Sequence, residues 1–182
     1  MKSIIFLDID GVLNSIDLSM ARSTLERQPR YRLYEVDDVR VGILKWIVDM
    51  TDSEIVISST WRMGNSIEWF QGFFEAQGWV NCPVIGMTPQ LKGTSFRGDE
   101  VNAWKKDFMS VKDNYVILDD DSDFYKDQSF VHVDRICGLT LKHAVACVDI
   151  LGLADEENRK TIETFRETAQ FRRKTNLGDV NL

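Results

Sequence analysis

Five short and mostly apolar runs, at residues 4–7, 55–57, 84–87, 115–118 and 130–133, recur along this chain with helical segments between them. An alternating run buries one face of a strand, whereas a continuous run is buried on both. Continuous strands separated by helices therefore predict a parallel sheet covered on both sides, which is a doubly wound α/β domain. Val39, Ile43, Trp46, Ile47 and Met50 recur at helical spacing behind Asp37 or Asp38 as a cap. A helix over 66–77 has Asn65 and Glu68 placed as a capping box and Gly78 as its stop. Further helices are expected over 99–108, 141–151 and most of 155–174.

A length of 182 residues fits one domain. An apolar fraction of 43% against 28% charged residues excludes a disordered or collagen-like chain. The net charge of −7 argues against a non-specific nucleic-acid binder, which needs a basic face, although a local basic patch is compatible with it. Cys82, Cys137 and Cys147 form no CxxC pair; three scattered thiols read as small core hydrophobes in a reducing compartment. The apolar run at the N-terminus is too short for a signal peptide, and no run approaches the roughly 20 apolar residues of a membrane span. The expectation is a soluble cytoplasmic protein with no membrane partner.

Ligands of open α/β sheets bind beyond the carboxyl ends of the strands. There the first run ends in Asp8-Ile9-Asp10-Gly11, the second in Ser58-Ser59-Thr60-Trp61-Arg62 and the fourth in Asp119-Asp120-Asp121-Ser122-Asp123. Two carboxylates within about 4 Å repel by roughly 4 kcal/mol at an effective dielectric of about 20. Asp8, Asp10, Asp119 and Asp120 brought together would thus require protonation or a cation. A hard divalent ion resolves the conflict, and Mg²⁺ suits a site with few protein carboxylates and room for water and phosphate. Zinc does not, because neither His132 nor His143 is placed to join the acids. An EF-hand over 119–130 fails, with Phe124 at the glycine position and Phe130 at the bidentate acid. Residues 93–98 have P-loop glycine spacing but Asp99 in place of the lysine.

The segments FLDIDGVLN (6–14), ISSTWR (57–62) and YVILDDDSD (115–123) resemble the first, second and fourth motifs of the haloacid dehalogenase (HAD) superfamily of phosphohydrolases. RGDEVNAW (97–104) and GLT (138–140) are similar to HAD-type phosphatase domains of phage and bacterial RNA-repair-like proteins, and the resemblance spans residues 3–152. It implies a Rossmann-like, five-stranded sheet of order 5-4-1-2-3 and hydrolysis of a phosphate monoester. Asp8 would be the nucleophile that forms an aspartyl-phosphate, and Asp10 the acid that protonates the leaving oxygen and then activates water. Ser58, or Ser59 one residue on, would hold a phosphoryl oxygen. The metal would take Asp120, Asp119, Asp8 and the main-chain carbonyl of Asp10, with Asp123 on a metal-bound water. The third motif departs from the pattern: its phosphate-balancing cation is either Lys92 or Arg97, with Arg97 at the more usual offset before the helix.

Residues 15–37 exceed a tight loop yet are too few for a cap domain, so a flap is expected and no large cap. Within 18–34, Arg22, Arg27, Arg30 and Arg32 against Glu26 give a local +3 flanked by Tyr31 and Tyr34. That composition suits gripping a phosphorylated small molecule, a nucleotide or a nucleic-acid terminus. Arg62 is placed to reach a leaving group or to face the surface; Trp61 reads mainly as packing, and Trp46, Trp69, Trp79 and Trp104 as core or helix-docking residues. A C-terminal helix over 153–175 would dock through Ile162, Phe165 and Ala169. Two other classes share these acids: a non-catalytic HAD-like binding module and a receiver-like phosphoacceptor domain.

Overall fold

A computed structural model describes residues 1–17, 20, 36–93 and 96–164. Five parallel strands form one sheet: β1 (Ser3–Leu7), β2 (Ser53–Ile57), β3 (Val84–Met87), β4 (Asn114–Asp119) and β5 (Phe130–His132), in the order β3-β2-β1-β4-β5. The helices are α1 (Asp38–Thr51), α2 (Ile67–Ala76), α3 (Arg97–Phe108) and α4 (Leu141–Leu151), with a short 3-10 turn at Thr60–Arg62. The expected Rossmann-like fold and strand order are therefore observed. A receiver-type sheet would run 2-1-3-4-5.

The unbroken apolar runs are explained by two cores. Ile5, Leu7, Ile55, Ile57, Val116 and Leu118 pack against Leu44 and Ile47 of α1, Phe70 and Phe74 of α2, and Cys147 of α4. Alternate residues Ile4, Phe6, Val56 and Ile117 face the other way, onto Val101 and Trp104 of α3. Each such side chain, fully buried, contributes roughly 1.5–3 kcal/mol. The alternation decides where the chemistry lies. Phe6 pairs with Val56 and Ile117, and Leu7 with Ile57 and Leu118. One residue further, Asp8, Ser58 and Asp119 come into register across β2, β1 and β4, on the face that α3 covers.

Several expected boundaries shift for local reasons. Asp37 caps α1 by accepting from the Val39 N–H at 2.9 Å, but Val39 itself is 65% exposed and the buried stripe runs through Val41, Leu44, Ile47 and Val48. Ser66 rather than Asn65 caps α2, accepting from the Trp69 N–H. Helix α3 starts at Arg97, two residues earlier than expected, and Asp123 accepts the Arg97 N–H at 3.2 Å. Trp69 is partly exposed but stacks on Phe73 at 5.4 Å, and Cys137 is exposed while Cys82 and Cys147 are buried. Residues 156–164 are helical and Ile162 packs on Met50 and Val148. Phe165, Ala169 and most of the expected flap, including Arg30, lie outside the described residues.

Candidate active site

Asp8 leaves β1 with its N–H on the Leu118 carbonyl at 2.9 Å, and Ser58 leaves β2 with its N–H on the Leu7 carbonyl at 2.9 Å. The sheet ladder therefore continues into the site and fixes its backbone. Oxygens of Asp8, Asp119 and Asp120 come within 4.8 Å of one another, the one group of this kind among the described residues. An all-carboxylate set of three is the donor chemistry of a hard divalent cation. Three of the four buried polar atoms without a partner among the described residues also lie at this edge: Ser58 Oγ, Thr88 Oγ1 and Asp123 Oδ1. Such groups are costly to bury and mark a place that a ligand or water completes.

Charge balance sets the state of the acids. Burial, then the Asp119 carboxylate, pushes the Asp8 carboxyl up to about 7. Burial also raises Asp119, to about 6, despite the nearby Arg97. Burial works against the charge on Arg97, yet Asp8 and Asp119 outweigh it and hold its pKa above the ordinary arginine value. The guanidinium bridges both acids, at 3.1 Å from Asp8 and in a short contact with Asp119. Asp119 also accepts the Asp121 N–H at 2.9 Å, and Arg135 meets Asp120 at 2.7 Å. Behind this loop, His132 Nε2 lies 2.9 Å from the Asp120 carbonyl.

Of the two candidates for the third-motif cation, Arg97 is at the acids. Lys92 is exposed, with no ion pair among the described residues. The two serines part in the same way. Ser59 hydrogen-bonds Asp8 and accepts the Trp61 N–H at 3.3 Å, so its hydroxyl has partners within the chain. Ser58 retains the unpartnered hydroxyl. Asp10 stands apart from the three-acid group: its carboxylate accepts from Trp61 Nε1 and from Asn14 Nδ2, each at 2.8 Å. Asp123, expected at a metal-bound water, uses Oδ2 to accept the Arg97 N–H at the start of α3 and keeps Oδ1 without a hydrogen-bond partner.

Arg62 corrects another expectation. It is buried, donating to the carbonyls of Ser58 (2.6 Å), Ser59 (2.8 Å) and Thr88 (3.0 Å) and pairing with Glu100 of α3. Burial lowers its pKa even with Glu100 beside it. The side chain ties the ends of β2 and β3 to α3 rather than reaching for a leaving group. A cleft of about 390 Å³ opens beside it, lined in part by Thr60, Arg97, Glu100, Asp121 and Asp123. Gly11, at φ +75°, is demanded by Asp120: a Cβ there would sit 2.5 Å from the Asp120 carboxylate. Trp61, Asn14, Arg135 and Glu100 were not singled out as site residues from the sequence. Asn14 and Trp61 fall inside the motif segments, whereas Arg135 and Glu100 carry no local signal.

The parallel sheet thus offers DxD after β1, a free hydroxyl after β2 and an acid pair at the end of β4, with an arginine delivered by the intervening helix, an arrangement that agrees with the HAD class of phosphohydrolase-type domains. A model of the family described as the HAD domain in Swiss Army Knife RNA repair proteins matches residues 4–144. The chain belongs to that family. The match runs from β1 into the first turn of α4 and so includes all the residues just described. No curated protein and no solved structure matches the chain. No helix among the described residues is long and apolar enough to cross a membrane.

Proposed function

We propose that this protein is a Mg²⁺-dependent phosphatase that cleaves a phosphate monoester through an aspartyl-phosphate on Asp8, with a phosphorylated nucleic-acid terminus or nucleotide as substrate. The observation that carries the reading is the registered set of Asp8, Ser58 and Asp119, with Asp120 and Arg97 converging on it. The carboxylates of Asp8, Asp119 and Asp120 would hold the ion, joined by the Asp10 carbonyl. Mg²⁺, when bound, neutralises phosphate charge and keeps Asp8 ionised at neutral pH.

Asp8 attacks phosphorus in line, and the bond to the leaving oxygen breaks as Asp10 delivers a proton to it. Arg97 and the Ser58 hydroxyl meet the equatorial oxygens as charge develops on them. Asp10, now a carboxylate, takes a proton from water as the water oxygen attacks the aspartyl-phosphate. Phosphate leaves and Asp8 is restored. A nucleic-acid end is favoured over other monoesters by the RNA-repair description of the family and by the arginines and tyrosines of residues 18–34.

The test is hydrolysis of a panel with and without Mg²⁺, including 3′- and 5′-phosphorylated oligonucleotides, sugar phosphates and nucleotides. Mg²⁺-dependent release of phosphate from an oligonucleotide end is expected, and Asp8→Asn and Asp10→Asn should each lose turnover by orders of magnitude. Undiminished activity in Asp8→Asn would remove the nucleophile assignment. Preference for sugar phosphates would overturn the substrate class alone.

A further inference from the structure

We propose that Trp61 is a positioning residue for the general acid, with its indole N–H holding the Asp10 carboxyl in line with the leaving oxygen. The inference rests on the proposed phosphatase reading, since it concerns how Asp10 acts there. Trp61 Nε1 donates to Asp10 Oδ2 at 2.8 Å, and Asn14 Nδ2 donates to Asp10 Oδ1 at 2.8 Å. Two donors on the two oxygens fix the carboxyl plane against rotation about its terminal torsion, which is otherwise soft. Each oxygen keeps a lone pair that can carry the proton, and Asp10 is only half-buried.

The chemistry of the donors matters as much as their distance. An indole N–H donates, does not accept and does not ionise, so it orients Asp10 without competing for the transferred proton. Asn14 is similarly committed, because its Oδ1 accepts the Gly11 N–H at 2.8 Å, leaving its Nδ2 for Asp10. Both donors are anchored from elsewhere. The Trp61 ring is edge-on to Phe73 at 5.7 Å and to Trp69 at 6.4 Å, and the backbone N–H of Trp61 is tied to the Ser59 hydroxyl. Ser59 in turn bonds Asp8. The 3-10 turn after β2 thus positions the acid through Trp61 and the nucleophile through Ser59 from one short segment, so their mutual geometry is set together.

The reaction supplies a readout that simple packing would not move. Proton delivery by Asp10 matters most where the departing oxygen is strongly basic. An alkoxide leaves with the proton from Asp10, whereas p-nitrophenolate leaves without one. Trp61→Phe keeps a ring in the aromatic cluster and deletes the N–H. Its kcat/KM, which reports the step that expels the leaving group and not the shared hydrolysis of the aspartyl-phosphate, should fall by about tenfold or more on glycerol 2-phosphate, against about threefold or less on p-nitrophenyl phosphate. Asn14→Ala, which leaves the aromatic cluster intact, should show the same selectivity. Equal losses on the two substrates in both variants, or no loss in either, would overturn the proposal.

A second measurement reads the contact without turnover. The Trp61 indole N–H resonance, identified as the peak missing in Trp61→Phe, should move upfield in Asp10→Ala as the hydrogen bond is lost. An unmoved peak would refute the contact. The two failures are distinguishable: Asp8→Asn tests the phosphatase reading on both substrates, while the substrate ratio and the indole resonance test Trp61.

Discussion

Replacing Arg97 by Met probes how the site balances buried charge. The guanidinium side chain is 14% exposed and faces Asp8 at 6% and Asp119 at 0%. Met retains much of the aliphatic length and removes the cation, so two buried carboxyls lose their shared counter-charge. Removing one partner of a buried pair costs about 3–5 kcal/mol. At about 2–4 °C per kcal/mol for a chain of this size, Tm should fall by roughly 6–20 °C in metal-free buffer at pH 8. The pH dependence follows from Asp8 and Asp119, raised to about 7 and about 6 chiefly by burial. An acid with a raised folded pKa binds its proton more tightly when folded. Its stabilising contribution is complete below about pH 4 and is lost as pH rises through the folded values. The Met variant should therefore approach wild type at pH 5, where both carboxyls are protonated, and fall away toward pH 8. Scanning calorimetry across pH 5–8 with a chelator reads this directly, and Lys92→Ala, on an exposed residue, should shift Tm by no more than about 2 °C. A pH-independent loss for Arg97→Met, or none at pH 8, would refute the reasoning.

Gly11→Ala puts a side chain at φ +75° and against Asp120, so it should cost at least about 1–2 kcal/mol in urea unfolding and weaken Mg²⁺ binding measured by calorimetry. Glu100→Ala strands the buried Arg62 and should cost about 3–5 kcal/mol. The double variant Arg62→Met/Glu100→Leu should recover only part of that in the same assay, because the stranded charge is gone but the carbonyls of Ser58 and Thr88 lose their donor. Ser58→Ala removes a buried hydroxyl with no partner, so stability should equal or exceed wild type while affinity for inorganic phosphate as a product inhibitor falls.

The sheet was legible because its strands are buried on both faces, which leaves an unbroken apolar record such as Ile4–Leu7 in any reading frame of the pleat. Strand-end acids were legible for the same reason: Asp8 and Asp119 interrupt runs that would otherwise continue. What local pattern does not carry is partnership across space. Helix α3 begins at Arg97, whose N–H is accepted by Asp123, 26 residues later, and no periodicity announces that contact. Arg62 reads as an available cation until three carbonyls and Glu100 are seen around it. Trp61 reads as packing, which it does on Phe73, while its one polar atom is spent on Asp10. Ser58 and Ser59 likewise differ in their hydroxyl partners, which neighbouring identical residues cannot reveal.

The most direct measurement is chemical trapping at Asp8. Turnover of p-nitrophenyl phosphate with Mg²⁺ is quenched in acid, the protein reduced with borohydride, and its peptides mapped by mass spectrometry. The account predicts conversion of Asp8 to homoserine, dependent on substrate and absent without it. Phosphate release in the same mixture with residue 8 unmodified, or with the modification on Asp10 or Asp119, would contradict it.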